Sequence, residues 1–121
     1  MNSWLDSRLL QEELELKILK NSENIISQKT FAQNIGYSVG KVNYVLKALI
    51  EKGFIKTERF VNSDNKLQYK YLLTENGIKE KINLTEKFIQ RKKREYEELQ
   101  NDLHFYKKEL HKNSTILEGT I

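Results

Sequence analysis

The 121-residue chain is 38% hydrophobic and 31% charged, with a formal net charge of +4, which fits one modest domain or one domain plus an appendage. It holds no cysteine and no proline. Disulfides, thiolate metal sites and cysteine nucleophiles are thereby excluded together, and few breaks are forced on a helical chain. The opening residues carry no apolar run resembling a signal peptide, and no later stretch is long and apolar enough for a bilayer span, so a cytoplasmic protein with no membrane partner is expected.

The charge is unevenly spread. Residues 1–24 lean acidic and residues 74–121 are nearly balanced. Between them Lys29, Lys41, Lys47, Lys52, Lys56, Arg59, Lys66 and Lys70 face only Glu51, Glu58 and Asp64. Such an excess suits a phosphate-facing surface, and taken alone it equally suits a solvated surface that leans basic.

Ser3-Trp4-Leu5-Asp6 reads as a capping box. Leu5, Leu9, Leu10, Leu14, Ile18 and Leu19 follow at helical spacing, which predicts an amphipathic helix to about Lys20, broken by Asn21-Ser22-Glu23-Asn24. A short helix starts from Ser27 as N-cap, buries Phe31, Ala32 and Ile35, and closes at Gly36-Tyr37-Ser38. The next starts at once from Ser38, with Val42, Val45, Leu46, Leu49 and Ile50 on one face, and stops at Gly53. Two short helices joined by a tight glycine-bearing turn predict a helix-turn-helix, whose second member reads DNA.

From Phe54 the period changes. Residues 54–61 are rich in β-branched and aromatic types, and Leu67, Tyr69, Tyr71 and Leu73 alternate. The polar stretch Asn62-Ser63-Asp64-Asn65-Lys66 lies between them. A hairpin in this place is a wing. From Thr74 a long helix is predicted, with Ile78, Ile82, Thr85, Ile89, Lys92, Tyr96, Leu99, Leu103, Tyr106 and Leu110 spaced alternately by four and three. That repeat marks a coiled coil. A helix of about 33 residues is about 50 Å long, too long to bury its seam on so small a domain, and a second copy is the simplest partner. A single amphipathic helix folded back on its own domain is the alternative.

The catalytic inventory is poor. His104 and His111 are the only histidines, no glycine-rich phosphate loop exists, and no nucleophile stands with a base. No enzyme activity, metal or cofactor is expected. The second helix of the pair is different: opposite its apolar face lie Gly40, Tyr44, Lys47 and Glu51, flanked by Lys41 and Asn43. Asn43 and Tyr44 suit base edges, Lys41 and Lys47 suit phosphates, and Gly40 permits close approach to a groove. Ser38 and the amides of the first turn can meet a phosphate. Lys56, Arg59 and Lys66 are the wing's candidate DNA contacts. The dimerisation candidates are Ile78, Ile82, Ile89, Tyr96, Leu99, Leu103, Tyr106 and Leu110.

The order of elements, with Leu73-Thr74-Glu75-Asn76-Gly77 joining the wing to the long helix, resembles the MarR-type winged-helix regulators. Gly36-Tyr37-Ser38-Val39-Gly40-Lys41-Val42-Asn43-Tyr44, with Leu46-Lys47-Ala48-Leu49-Ile50-Glu51-Lys52-Gly53, is similar more narrowly to a small subgroup associated with exopolysaccharide gene clusters. The resemblance implies a dimeric regulator with recognition helices in major grooves and wings toward minor grooves. Where family wings carry aspartate-x-arginine, this chain has Asp64 and Lys66.

The expectation is therefore a mainly α chain with a small β-hairpin: a winged helix-turn-helix over residues 1–73, a long coiled-coil dimerisation helix over 74–112 and a flexible tail over 113–121. Its expected partners are double-stranded DNA and a second copy, and its expected role is transcriptional regulation. A protein-interaction adaptor, with a coiled coil that binds another protein, is the alternative. The sequence names no effector.

Overall fold

The computed structural model describes residues 3–25 and 27–119, with side-chain surroundings for 7–23, 25 and 27–113. Its elements are α1 (Ser3–Asn21), a 3-10 turn (Ser22–Asn24), α2 (Gln28–Ile35), α3 (Val39–Glu51), β1 (Ile55–Val61), β2 (Leu67–Leu73) and α4 (Glu75–Gly119). The protein is thus mainly helical, with one two-stranded antiparallel hairpin. The capping box expected at Ser3–Asp6 lies outside the residues whose side chains are described. The chain divides into two compact units, residues 1–86 and 87–121.

The helix boundaries follow from local chemistry. The Asn21 side chain donates to the Lys17 carbonyl at 2.8 Å, drawing the last turn of α1 closed. Ser27 caps α2 by accepting from the Thr30 amide, and Gly36 ends it in the left-handed conformation at φ 77°. Ser38 caps α3, its hydroxyl accepting from the Lys41 amide at 3.1 Å.

The core of the first unit is built by Leu14, Ile18 and Leu19 of α1, Phe31 and Ala32 of α2, and Val42, Val45, Leu46 and Leu49 of α3. Ile25 and Ile55 complete it, together with Leu84 of α4, which is 5% exposed. Each fully buried aliphatic side chain contributes about 1.5–3 kcal/mol relative to an exposed one, so the four buried residues of α3 anchor that helix by its inner face. Leu10, expected on the inner face of α1, is exposed, and Leu16 packs on the core in its place.

Register pairs Ile55 with Leu73 at the base of the hairpin and Val61 with Leu67 at its tip. The Asn62 amide donates to the Lys66 carbonyl at 3.1 Å and the Asn65 amide to the Asn62 carbonyl at 3.0 Å, with Asn65 at φ 59°. The Asn62 side chain also accepts from the amides of Asp64 at 3.0 Å and Lys66 at 2.9 Å. One asparagine thus ties the turn from inside. Replacing Asn62 with Ala should lower stability by about 1 kcal/mol, read as a drop in Tm.

The junction from hairpin to α4 is built by two residues. Thr74 donates its hydroxyl to the Gly53 carbonyl and accepts from the Gly77 amide at 3.0 Å, which makes it the N-cap of α4. Its own amide donates to the Phe54 carbonyl at 3.1 Å. Gly77 lies against that same carbonyl: a Cβ there would come within 1.9 Å of the Phe54 oxygen.

Two sequence boundaries move. The first unit runs to Glu86 rather than ending at Leu73, because Gly77 and Leu84 of α4 are buried in it. The helical backbone continues through Gly119, so the segment expected as a tail after Lys112 is helical that far.

Candidate nucleic-acid interface

In α3 the inward residues are those the periodicity predicts: Val42, Val45, Leu46 and Leu49 are buried and Ile50 is half-buried. The opposite side is open. Gly40, Lys41, Asn43, Tyr44 and Lys47 are all exposed, and Tyr44 keeps 65% of its surface in solvent. A tyrosine so exposed gains little from the fold. The Lys41 ammonium stands 5.9 Å from the Tyr44 ring centroid, within cation–π reach.

Ser38 stands at the start of this face. Its capping bond takes the Lys41 amide, and its carbonyl accepts from the Val42 amide at 3.1 Å. The amides of Val39 and Gly40 remain at the open end of the helix, where the partial positive charge of aligned peptide dipoles is concentrated. Lys41 also borders a polar cleft of about 540 Å³ that it shares with Lys52 and with Arg8, Glu12 and Glu15 of α1. The acidic side of the first helix thus lies beside the start of the third.

All eight basic residues of the middle segment are exposed. Among the described residues no ion pair ties any of them to a carboxylate. Three lie over aromatic rings instead: Lys41 on Tyr44, Arg59 on Tyr69 and Lys70 on Phe60. Their charge stays available to a phosphate, since a ring stacks a cation without neutralising it.

The hairpin does not gather its three expected contacts on one side. Alternation along β1 places Lys56 and Arg59 on opposite faces, and Lys66 sits in the turn. Lys56 shares its face with Lys70, which sequence reasoning counted in the basic segment but did not single out as a contact of the hairpin; counting alternation across the register would have done so. Arg59 lies on the other face, with Val61, Leu67 and Tyr69. Those three apolar residues are exposed, whereas Tyr71 and Leu73 nearer the base pack on the core.

Among the described residues no group of three or more His, Cys, Asp or Glu side chains is arranged to hold a metal ion, and no helix is long and apolar enough to cross a membrane. No protein-family model matches the chain, and no curated protein matches it.

The expected dimerisation residues form an exposed series on α4. In the first unit Ile78 and Ile82 are half exposed, and with Lys81, Thr85 and Glu86 they line an apolar groove of about 290 Å³. In the second unit every residue from Lys92 to Asn113 is exposed, and Tyr96, Leu99, Leu103, Tyr106 and Leu110 recur there at heptad spacing.

Proposed function

We propose that this chain is a homodimeric, sequence-specific DNA-binding regulator of transcription in the cytoplasm, acting by binding rather than catalysis. In this reading α2, α3 and the hairpin form a winged helix-turn-helix of MarR type, α3 enters the major groove, and α4 pairs with a second copy as a coiled coil.

The observation that carries the reading is Gly40. A glycine inside a helix costs about 0.5–1 kcal/mol relative to alanine. The fold requires Gly77, whose missing Cβ admits a carbonyl, and Gly36, whose φ is 77°. It does not require Gly40: a Cβ there would meet nothing within 4 Å, and its φ is not positive. In this reading a glycine that the fold does not need serves a surface that comes very close to the first turn of α3. The wall of a DNA groove is such a surface, and Ser38, Lys41, Asn43, Tyr44 and Lys47 around it are the donors such a surface needs.

Gly40→Ala should therefore move stability and binding in opposite directions. Thermal or denaturant unfolding should show a gain of about 0.5–1 kcal/mol, while affinity for the operator falls. Asn43→Ala and Tyr44→Ala should each cost about 1–3 kcal/mol on the operator and far less on random duplex, whereas Lys47→Ala should weaken both together. The affinities are compared at one salt concentration, because phosphate contacts make binding strongly salt-dependent. Unchanged operator-to-random ratios in Asn43→Ala and Tyr44→Ala would remove sequence reading from α3. The likeness of residues 36–53 to the exopolysaccharide-associated subgroup directs the operator search to such gene clusters.

The exposed apolar tip of the hairpin, Val61, Leu67 and Tyr69, favours a second reading, a protein-interaction adaptor. Absence of duplex binding at moderate salt would select it.

A further inference from the structure

We propose that two copies pair through α4 as a parallel, in-register, two-stranded coiled coil, with Lys81 of each copy facing Glu86 of the other and Asp102 facing Lys107. This rests on the homodimer reading above and fixes its geometry. The occupant of the exposed α4 series is a second α4, and charge complementarity selects its direction.

The heptad assigns Ile82, Ile89, Tyr96, Leu103 and Leu110 to position a, and Ile78, Thr85, Lys92, Leu99 and Tyr106 to position d. In a parallel pair each g residue meets the e residue five places on in the partner helix. Those meetings are Lys81 with Glu86, Phe88 with Lys93, Glu95 with Gln100, and Asp102 with Lys107. Two are attractive and none is repulsive. Every seam residue from Ile78 to Leu110 then meets its own counterpart.

The antiparallel alternative sets a against d, g against g and e against e. The register that uses the whole seam places Glu95 against Glu95, Lys93 against Lys93 and Lys79 against Lys107, set against one attractive kind of meeting, Lys81 with Glu109. Sliding one heptad in one direction removes these contacts but strands Tyr106 and Leu110. Sliding the other way sets Glu95 against Asp102 and strands Ile78 and Ile82. Like charges held this close oppose association. Antiparallel pairing therefore gives up either charge balance or buried surface, whereas parallel pairing keeps the whole seam and its attractive flanking pairs at the cost of one like-charge meeting, Lys92 with its own copy.

Lys92 is the one charged residue in the seam, and in the parallel pair it meets its own copy. Its ammonium reaches the Glu95 carboxylate of the same helix at 3.3 Å, so its charge is drawn toward the edge of the seam and partly balanced there. A single lysine among apolar layers fixes register at some cost in stability. Isoleucine at the first two a positions and leucine at the d position of Leu99 fit two parallel strands.

The chain has no cysteine, so one introduced thiol reports the arrangement without background. In full-length Leu99→Cys the two thiols face each other only in the parallel register, since a disulfide needs Cα atoms closer than about 7 Å. Mild oxidation should convert most of the protein to a covalent dimer on a non-reducing gel, and since Leu99 is exposed in the single chain, the substitution removes no core contact of the first unit. Lys81→Glu should weaken association several-fold, and adding Glu86→Lys in the same chain should restore it. A sedimenting dimer whose Leu99→Cys form does not cross-link, while a mixture of Ile89→Cys and Leu99→Cys chains does, overturns the parallel arrangement and leaves the dimer standing. A chain that sediments as a monomer overturns both.

Discussion

Gly77→Ala should destabilise the first unit by about 2–3 kcal/mol, although the same change at an unconstrained helical glycine stabilises by about 1 kcal/mol. The added methyl would stand 1.9 Å from the Phe54 oxygen, 2.9 Å from its carbonyl carbon and 3.2 Å from a Leu73 methyl. Two of these atoms are backbone and cannot swing aside as a side chain tip would. The Phe54 carbonyl also accepts the Thr74 amide, so moving it strains the cap of α4 and the end of β2 together. Overpacking costs about 1–3 kcal/mol, and a weakened hydrogen bond adds about 1 kcal/mol. Chemical denaturation of Gly77→Ala beside Gly40→Ala checks this directly. Equal shifts of the two variants would mean that the strand-to-helix junction is not packed as described.

Leu46→Ala should destabilise the first unit by about 2–5 kcal/mol. Leu46 is 1% exposed and sits in the core with Val42, Val45 and Leu49. Removing most of its side chain leaves a cavity between α3 and the elements packed on it, and the neighbours close such a space only in part. Tyr44, two residues earlier, carries a larger side chain on the opposite face, and its loss should alter stability by a few tenths of a kcal/mol. The pair tests the rotation of α3 about its axis, on which the assignment of its exposed face depends. Urea midpoints of the two variants suffice, and comparable losses at both positions would show that the helix is turned differently.

Much of this was legible in the sequence where a strong local signal existed. Ser27, Gly36, Ser38 and Asn62 act on backbone groups within a few residues of themselves, so their effects are written in their immediate neighbourhood. The inward face of α3 was readable for the same reason, since four buried positions at helical spacing admit one rotation. Leu84 was not readable. It falls outside the heptad seam, and the signal that places it in the core is a contact with residues far away in the chain. Leu10 was misplaced because α1 carries leucine around more than one side, so periodicity alone could not choose its inner face. The hairpin's charges were legible as a composition but not as a surface: the strand register sets Lys56 with Lys70 on one face and Arg59 on the other.

The first turns of α4 carry two apolar stripes side by side. Gly77 and Leu84 point into the core, while Ile78, Ile82 and Thr85 point away from it. Each residue advances a helix by about 100°, so losing one residue between Gly77 and Leu84 would rotate Leu84 out of the core and shift the outer stripe with it. Substitutions here disturb one stripe at a time, whereas a change of length disturbs both. Between Glu75 and Glu86 the length of the segment is therefore fixed more tightly than its composition.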